Sequence, residues 1–220
     1  MIYVVTLLLA GISMLYEFAL AQFIALFFGS TFEIYSVTIG LFTFSLGVGA
    51  LYYDKFCADK PQERLLLSTE VFISLTAILS PFLLVLLSSN HALNILGAAA
   101  KPLAFLPVFL CGWFSGIELP CLLSLGTKEN HGEVLFVDFA GMFIGALLFP
   151  LFLIDNFGPL KILWLLSMLN ILTVVVFLKH TKIKFGHTFS FLCLSALIGL
   201  SLLILNESKI ILFFQRVHGV

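Results

Sequence analysis

The sequence predicts an all-α integral membrane protein, built as a bundle of about seven transmembrane helices. Hydrophobic residues fill 61% of the 220 positions and charged residues only 10%. The apolar residues are grouped in runs close to the ~20 residues that a helix needs to cross a bilayer core. A soluble domain of this size has too small an interior to bury 25 Phe side chains together with this much aliphatic surface. We therefore expect lipid to cover much of the chain.

The apolar runs define the candidate spans in chain order. They lie at residues 2 to 28, 34 to 53, 66 to 88, 102 to 126, 134 to 155, 159 to 178 and 188 to 206. The first run has no basic segment before it and no small-residue cleavage site after it, so it is interpreted as a span and not as a signal peptide. Residues 1–206 then form one polytopic helical domain, and residues 207–220 form a short C-terminal tail.

The distribution of cations predicts the orientation, because cytoplasmic loops are rich in Lys and Arg. The loops after the second, fourth and sixth spans hold most of the cations: Lys55, Lys60, Arg64, Lys128, Lys179, Lys182 and Lys184. The alternate loops hold little beyond Lys101. The N-terminus is therefore predicted to be cytoplasmic.

Charge and cysteine content exclude several classes of function. A net charge of -1 provides no basic surface for nucleic acid. The four cysteines lie far apart, with no CxxC pair and no neighbouring His at zinc spacing, so we interpret them as small buried residues and predict no metal site. The histidines fall in loops or in the tail, which leaves little from which to assemble an intramembrane enzyme: His91, His131, His180, His187 and His218.

Four acidic residues, Glu17, Glu70, Glu118 and Asp138, lie inside the predicted spans and form the candidate intramembrane polar site. A charged side chain at the centre of a membrane helix costs ~2.5 kcal/mol or more, so each of these acids needs a partner, a proton or a water-lined cavity. With the predicted orientation, Glu70, Glu118 and Asp138 can converge on one inward-facing cavity. For Glu70 and Asp138, which begin their spans, interfacial exposure is the favoured alternative.

Small residues surround two of these acids. Glu17 lies in a stripe of small residues on the first span, formed by Ala10, Ser13, Ala21 and Ala25, and should therefore face other helices. The fourth and fifth spans each carry a GxxxG pair, which favours close helix packing: Gly112 with Gly116, and Gly141 with Gly145.

Pro120 lies in the same turn as Glu118. Because proline cannot donate to the carbonyl four residues earlier, the fourth span should bend and leave the carbonyl of Gly116 free beside a carboxylate. Interrupted helices bind cations or polar substrates with such groups. A kinked helix whose glutamate bonds to a neighbouring helix is the equally weighted alternative. Pro150 is expected to bend the fifth span in the same way.

A faint internal repeat accompanies these features. Gly49-Ala50-Leu51 recurs as Gly145-Ala146-Leu147, and the glycine-containing stretch that ends at Glu17 has a counterpart that ends at Glu118. Because each unit has an odd number of spans, three, the second unit has the opposite orientation in the membrane to the first. The expected architecture is then a 3+3 inverted repeat plus one further helix.

Four patches in this order resemble a known family. They are residues 16 to 22 (YEFALAQ), 35 to 50 (YSVTIGL to GVGA), 116 to 120 (GIELP) and 138 to 147 (DFAG with GAL). Together they resemble the membrane domain that precedes the catalytic domain in membrane-bound bacterial spermidine synthase-like proteins, over approximately residues 1 to 180. The resemblance implies a multi-pass protein of the bacterial inner membrane with a connection to polyamines.

In that family a soluble domain performs the aminopropyl transfer, and these 220 residues hold no counterpart of it. We therefore transfer no catalytic residue, and we expect no cofactor and no aminopropyltransferase activity from this polypeptide alone. Two main hypotheses remain: a transporter-like module for polyamines or other cations, and a membrane anchor or scaffold for a separately encoded soluble synthase. The expected partners are the lipid bilayer, a soluble synthase-like chain and a further copy of this chain.

Overall fold

The computed structural model describes residues 2–89, 95–126 and 130–181. Within these ranges the chain is helical and contains no strand. We label its six long helices in chain order: α1 (Ile2–Phe28), α2 (Thr31–Phe56), α3 (Gln62–Ser88), α4 (Leu106–Leu125), α5 (His131–Leu148) and α6 (Pro159–Thr181).

Two of the long helices have short extensions. A 3-10 turn (Gly97–Ala99) and a short helix (Ala100–Ala104) precede α4, and a π-helical turn (Phe149–Leu153) and a short helix (Ile154–Asn156) follow α5. With these extensions, all six segments are long and apolar enough to cross a membrane.

The first six predicted spans are confirmed as helices, with several ends extended by about one turn. The seventh predicted span, at residues 188 to 206, and the predicted tail at 207–220 lie outside the described residues. Six helices are therefore established here.

Local chemistry sets the helix ends. Gly29 and Ser30 both adopt left-handed backbone angles, with φ of 67° and 53°, which turns the chain sharply between α1 and α2. Pro61 stands immediately before α3, where its missing N–H has no helical partner to lose. Pro150 lies in the π-helical turn after α5, while the predicted bend of this span stays a prediction. By contrast, α4 continues through Pro120 without interruption.

The glycine pairs lie where helices approach most closely. A methyl group added to Gly49 would lie 2.1 Å from the carbonyl oxygen of Trp113, and one added to Gly116 would lie 2.2 Å from that of Leu46. These distances are shorter than any contact that two packed atoms tolerate, so only glycine fits. We call this contact of Ser45 and Gly49 with Gly112 and Gly116 the α2–α4 seam.

A second close contact joins α1 to α5. Added methyl groups would lie 2.4 Å from the carbonyl oxygen of Leu7 at Gly141, and 2.6 Å from that of Gly11 at Gly145. We call this contact of Leu7 and Gly11 with Gly141 and Gly145 the α1–α5 seam. In both seams the contact positions advance along the two helices together, so each pair of helices runs parallel.

The third major contact joins α3 to α6 and is polar at its centre. The hydroxyl of Ser167 donates to the carbonyl oxygen of Ser74 at 3.4 Å, and the side-chain amide of Asn170 donates to that of Glu70 at 3.3 Å. Here a later residue on α6 meets an earlier residue on α3, so the two helices run antiparallel. Helix α1 also packs against α4 and α6, and α3 also packs against α4.

Contacts at the two ends of the bundle agree with a chain that crosses back and forth. At one end, Lys101 before α4 pairs with Glu33 at the start of α2, with 2.7 Å between Nζ and Oε1. At the other end, the hydroxyl of Tyr3 at the start of α1 donates to Glu133 at the start of α5. Which end is cytoplasmic stays a prediction.

Candidate functional site

The four intramembrane acids are all buried. Their exposed fractions are 5% for Glu17, 2% for Glu70, 3% for Glu118 and 7% for Asp138. Interfacial exposure of Glu70 and Asp138, the alternative favoured by their places in the sequence, does not hold. Both side chains lie on the packed faces of their helices.

A cleft of about 340 Å³ lies between α1, α2, α4 and α5. Its polar lining comes from Ser13 on α1, Ser115 and Glu118 on α4, and Asp138 on α5. The remaining wall is mainly apolar and includes Phe42, Leu46, Leu119, Leu123, Phe139 and Met142. The α2–α4 seam packs α2 against α4 on one side of the cleft, and the α1–α5 seam packs α5 against α1 on the other side.

Glu118 is the centre of the polar groups. The hydroxyls of Ser13 and Ser115 lie 3.0 Å apart, and Ser13 also donates to Oε2 of Glu118 at 3.4 Å. Glu118 lies close to both Glu70 and Asp138. Three acids from α3, α4 and α5 therefore converge in one region of the bundle.

Glu70 connects the cleft to the α3–α6 contact. Its side chain lies within reach of Glu118 on one side and of Asn170 on the other. One carboxyl oxygen of Glu70, Oε1, is buried and has no hydrogen-bond partner among the described residues. Next to this contact, the buried hydroxyl of Tyr16 donates to Ser167 at 3.2 Å. A polar layer thus crosses the core from α4 through α3 to α6 and α1.

Glu17 stands apart from this cluster. It is buried, yet it does not line the cleft, and its carboxyl group has no hydrogen bond to any residue in the described ranges. The structure therefore separates the four candidate residues into a converging group of three and one isolated acid.

No basic side chain that the structure describes, within residues 2–89, 95–126 and 130–177, forms an ion pair with any of these four acids. At an effective dielectric of ~20, two unit charges ~4 Å apart repel by about 4 kcal/mol, and burial adds a desolvation cost for each charge. The three converging acids are therefore unstable as bare carboxylates, and they gain stability from protons or from a bound cation. The described His, Cys, Asp and Glu side chains form no group of three or more with metal-binding geometry.

Sequence reasoning identified all three acids but missed the groups that join them. Ser115 and Asn170 gave no individual signal, because a serine or an asparagine in an apolar span is compatible with simple packing. Ser13 was recognised only as a small residue of a stripe. The contacts between Ser13 and Glu118, and between Glu70 and Asn170, depend on which helices become neighbours.

Comparisons with known proteins give distant relatives of this chain. No protein-family model matches the chain, and no solved structure matches it significantly. The chain is similar to polyamine aminopropyltransferases. A protein of that name from Leptospira interrogans is 28% identical over 175 residues, which is 77% of this chain and 34% of that protein.

Two further relatives have the same character. Polyamine aminopropyltransferase 1 from Streptomyces coelicolor is 29% identical over 79% of this chain and 34% of its own length. A polyamine aminopropyltransferase from Oceanobacillus iheyensis is 27% identical over 84% of this chain and 36% of its own length. The chain thus spans about a third of each relative's length, which is consistent with a distant spermidine synthase-like relative.

Proposed function

We propose that this chain is a transporter-like membrane module that binds polyamines or other organic cations in the cleft and moves them across the bilayer. The observation that carries the proposal is the presence of Glu118 and Asp138 in a cleft of about 340 Å³ with no described Lys or Arg to neutralise them. The relatives' names supply the polyamine class as the substrate to test first.

The cleft suits a polyamine in size and in chemistry. Its volume falls in the range of ~300–1,000 Å³ that is usual for small-ligand sites. A polyamine carries ammonium groups separated by methylene chains, so it needs acids at intervals and apolar walls between them. The carboxyl groups of Glu118 and Asp138 are available to the ammonium groups, and the hydroxyls of the two serines add further oxygen atoms. The Phe, Leu and Met side chains of the wall provide apolar surface for the methylene chains.

The helix contacts support an inverted repeat, the architecture on which many transporters are built. If α1, α2 and α3 correspond to α4, α5 and α6, exchanging the two halves converts the α2–α4 seam into the α1–α5 seam. It also converts the α3–α4 contact into the α1–α6 contact and maps the α3–α6 contact onto itself. All of these contacts are present. The cleft then lies between the two halves, where a rocking motion would expose it alternately to each side.

Uptake of labelled spermidine into proteoliposomes tests the proposal. We expect the protein to accumulate spermidine and Glu118→Gln to lower uptake about tenfold or more, because a lost charge-assisted contact is worth ~1.5–3 kcal/mol. The matched control is Glu33→Gln, the same change at an exposed position away from the cleft. Equal uptake by the wild type and Glu118→Gln, or uptake by neither, would count against transport.

A second function, a membrane anchor or scaffold for a separately encoded soluble synthase, is favoured by one observation. The similarity covers only about a third of proteins whose names describe a catalytic activity. In that case Glu118→Gln would impair assembly but there would be no transport to lose. Affinity purification from the native membrane distinguishes the two functions, since a scaffold should retain a soluble synthase-like chain through washing. Sedimentation of the purified complex would also report whether further copies of this chain are present.

A further inference from the structure

Glu70 occupies a position that cation binding in the cleft does not require. It is 2% exposed and does not line the cleft, but it is a neighbour of Glu118, which does. Its Oε1 atom has no hydrogen-bond partner among the described residues. Buried polar atoms almost always have a hydrogen-bond partner. A buried carboxyl group that lies next to a binding residue, and has one oxygen without such a partner, therefore needs a ligand of its own.

We propose that Glu70 and Glu118 share a proton in the empty cleft and release it when an organic cation binds, so that the module exchanges its cargo for protons. This inference rests on the proposed function. Before binding, the pair holds one proton and one negative charge, with one carboxyl group donating a hydrogen bond to the other. When an ammonium group contacts Glu118 and Asp138, both members of the pair ionise and the ammonium supplies the positive charge that the proton supplied before.

The groups that face Glu70 are compatible with a proton and with no fixed counter-charge. Glu118 and Cys121 face it from α4, Tyr16 from α1, and Asn170 from α6. None of them carries a positive charge. Asn170 donates to the backbone carbonyl of Glu70, which ties α6 to this part of α3 in either protonation state of the carboxyl group.

A second, much smaller cavity lies against Glu70. It has a volume of about 10 Å³, close to that of one water molecule, and is lined by Glu70, Thr173, Val5, Leu66 and Phe177 among others. Val5 and Leu66 lie within about a turn of the starts of α1 and α3, and Phe177 lies about a turn before the end of α6. The small cavity therefore lies toward that end of the bundle.

The size and lining of this cavity favour a proton over a sodium ion. A dehydrated sodium ion needs several oxygen ligands around it, whereas the lining surface of the small cavity is apolar throughout. A proton needs only the carboxyl pair.

Transport in proteoliposomes with imposed gradients provides the first test. We expect an acidic interior to accelerate spermidine uptake by the wild type about tenfold over equal pH, and an inward sodium gradient to have no effect. Glu70→Gln keeps the size and hydrogen bonding of the side chain but cannot ionise. We expect it to retain exchange of labelled for unlabelled spermidine and to lose the response to the pH gradient.

A second measurement does not depend on transport. Calorimetric titration of spermidine into detergent-solubilised protein, in two buffers of different ionisation enthalpy, gives the number of protons released on binding. We expect the wild type to release protons and Glu70→Gln to bind spermidine with release lower by about one proton.

The outcomes separate the two proposals. Absence of spermidine binding and uptake in the wild type would overturn the proposed function and this inference together. Uptake that is indifferent to pH, that is driven by sodium, or that keeps its pH response in Glu70→Gln would overturn the inference alone. A folded but inactive Glu70→Gln protein that still releases the wild-type number of protons would also overturn it.

Discussion

Helices α1 and α4 carry the same arrangement with different results. On each helix a glycine packs closely against a neighbouring helix, and a glutamate follows six residues later: Gly11 and Glu17 on α1, and Gly112 and Glu118 on α4. Glu118 lines the cleft, accepts a hydrogen bond from Ser13 and has two acidic neighbours. Glu17 is equally buried but has none of these contacts.

The neighbouring helix explains the difference. If Gly49 on α2 corresponds to Gly145 on α5, positions 96 residues apart are equivalent, and Asp138 then corresponds to Phe42. One half therefore carries an acid where the other half carries an aromatic ring, and both side chains line the same cleft. The same glycine–glutamate spacing places one buried glutamate on α1 and one on α4. Glu118 has an acidic neighbour on α5, Asp138, whereas the equivalent position on α2 is Phe42.

The largest expected effect comes from disrupting the α2–α4 seam, because this contact holds together two of the helices that line the cleft. Gly49→Ala places a methyl group 2.1 Å from a backbone carbonyl oxygen that cannot move aside. Overpacking of this kind costs ~1–3 kcal/mol or more, so we expect a thermal midpoint several degrees lower in detergent. Gly40→Ala on the same helix, with no atom within 4 Å of the added methyl, is the control and should be neutral. Equal stability of the two variants would contradict the seam.

The contrast between these two glycines shows how far the sequence predicts the fold. The apolar runs predicted the spans because bilayer thickness sets their length. The GxxxG spacing predicted that Gly112 and Gly116 approach another helix, but not that the helix would be α2. Pairing depends on complementary shapes between distant segments, which no single span contains.

A smaller effect is expected from changing the acids themselves. Asp138→Asn should weaken spermidine binding about tenfold, because it removes one of the two carboxylates that contact the ammonium group. Glu17→Gln should change binding less than about twofold, since Glu17 does not line the cleft. Calorimetric titration of both variants measures this difference. Similar losses in both variants would mean that the two halves contribute equally to binding and that the cleft is not the site.

The acids also show why the sequence only partly predicted the site. Rarity of charge in apolar spans identified Glu17, Glu70, Glu118 and Asp138 without any structure. Their burial could not be predicted in the same way, because a helix that is apolar all round has no polar stripe to reveal which face packs. Glu70 and Asp138 therefore looked interfacial from their places near span ends, although both side chains point into the bundle.

The smallest expected effect comes from removing the hydrogen bond between Ser13 and Ser115, which joins α1 to α4. Ser115→Ala removes a hydroxyl 3.0 Å from that of Ser13 but leaves Ser13 able to donate to Glu118. A net loss of ~0.5–1.5 kcal/mol in the free energy of unfolding is expected, as for a typical buried hydrogen bond, with spermidine binding weakened less than in Asp138→Asn. Ser36→Ala, which removes an exposed hydroxyl bonded only within its own helix, is the matched control. If both serine variants unfold at the same temperature, the Ser13–Ser115 contact does not hold the two helices together.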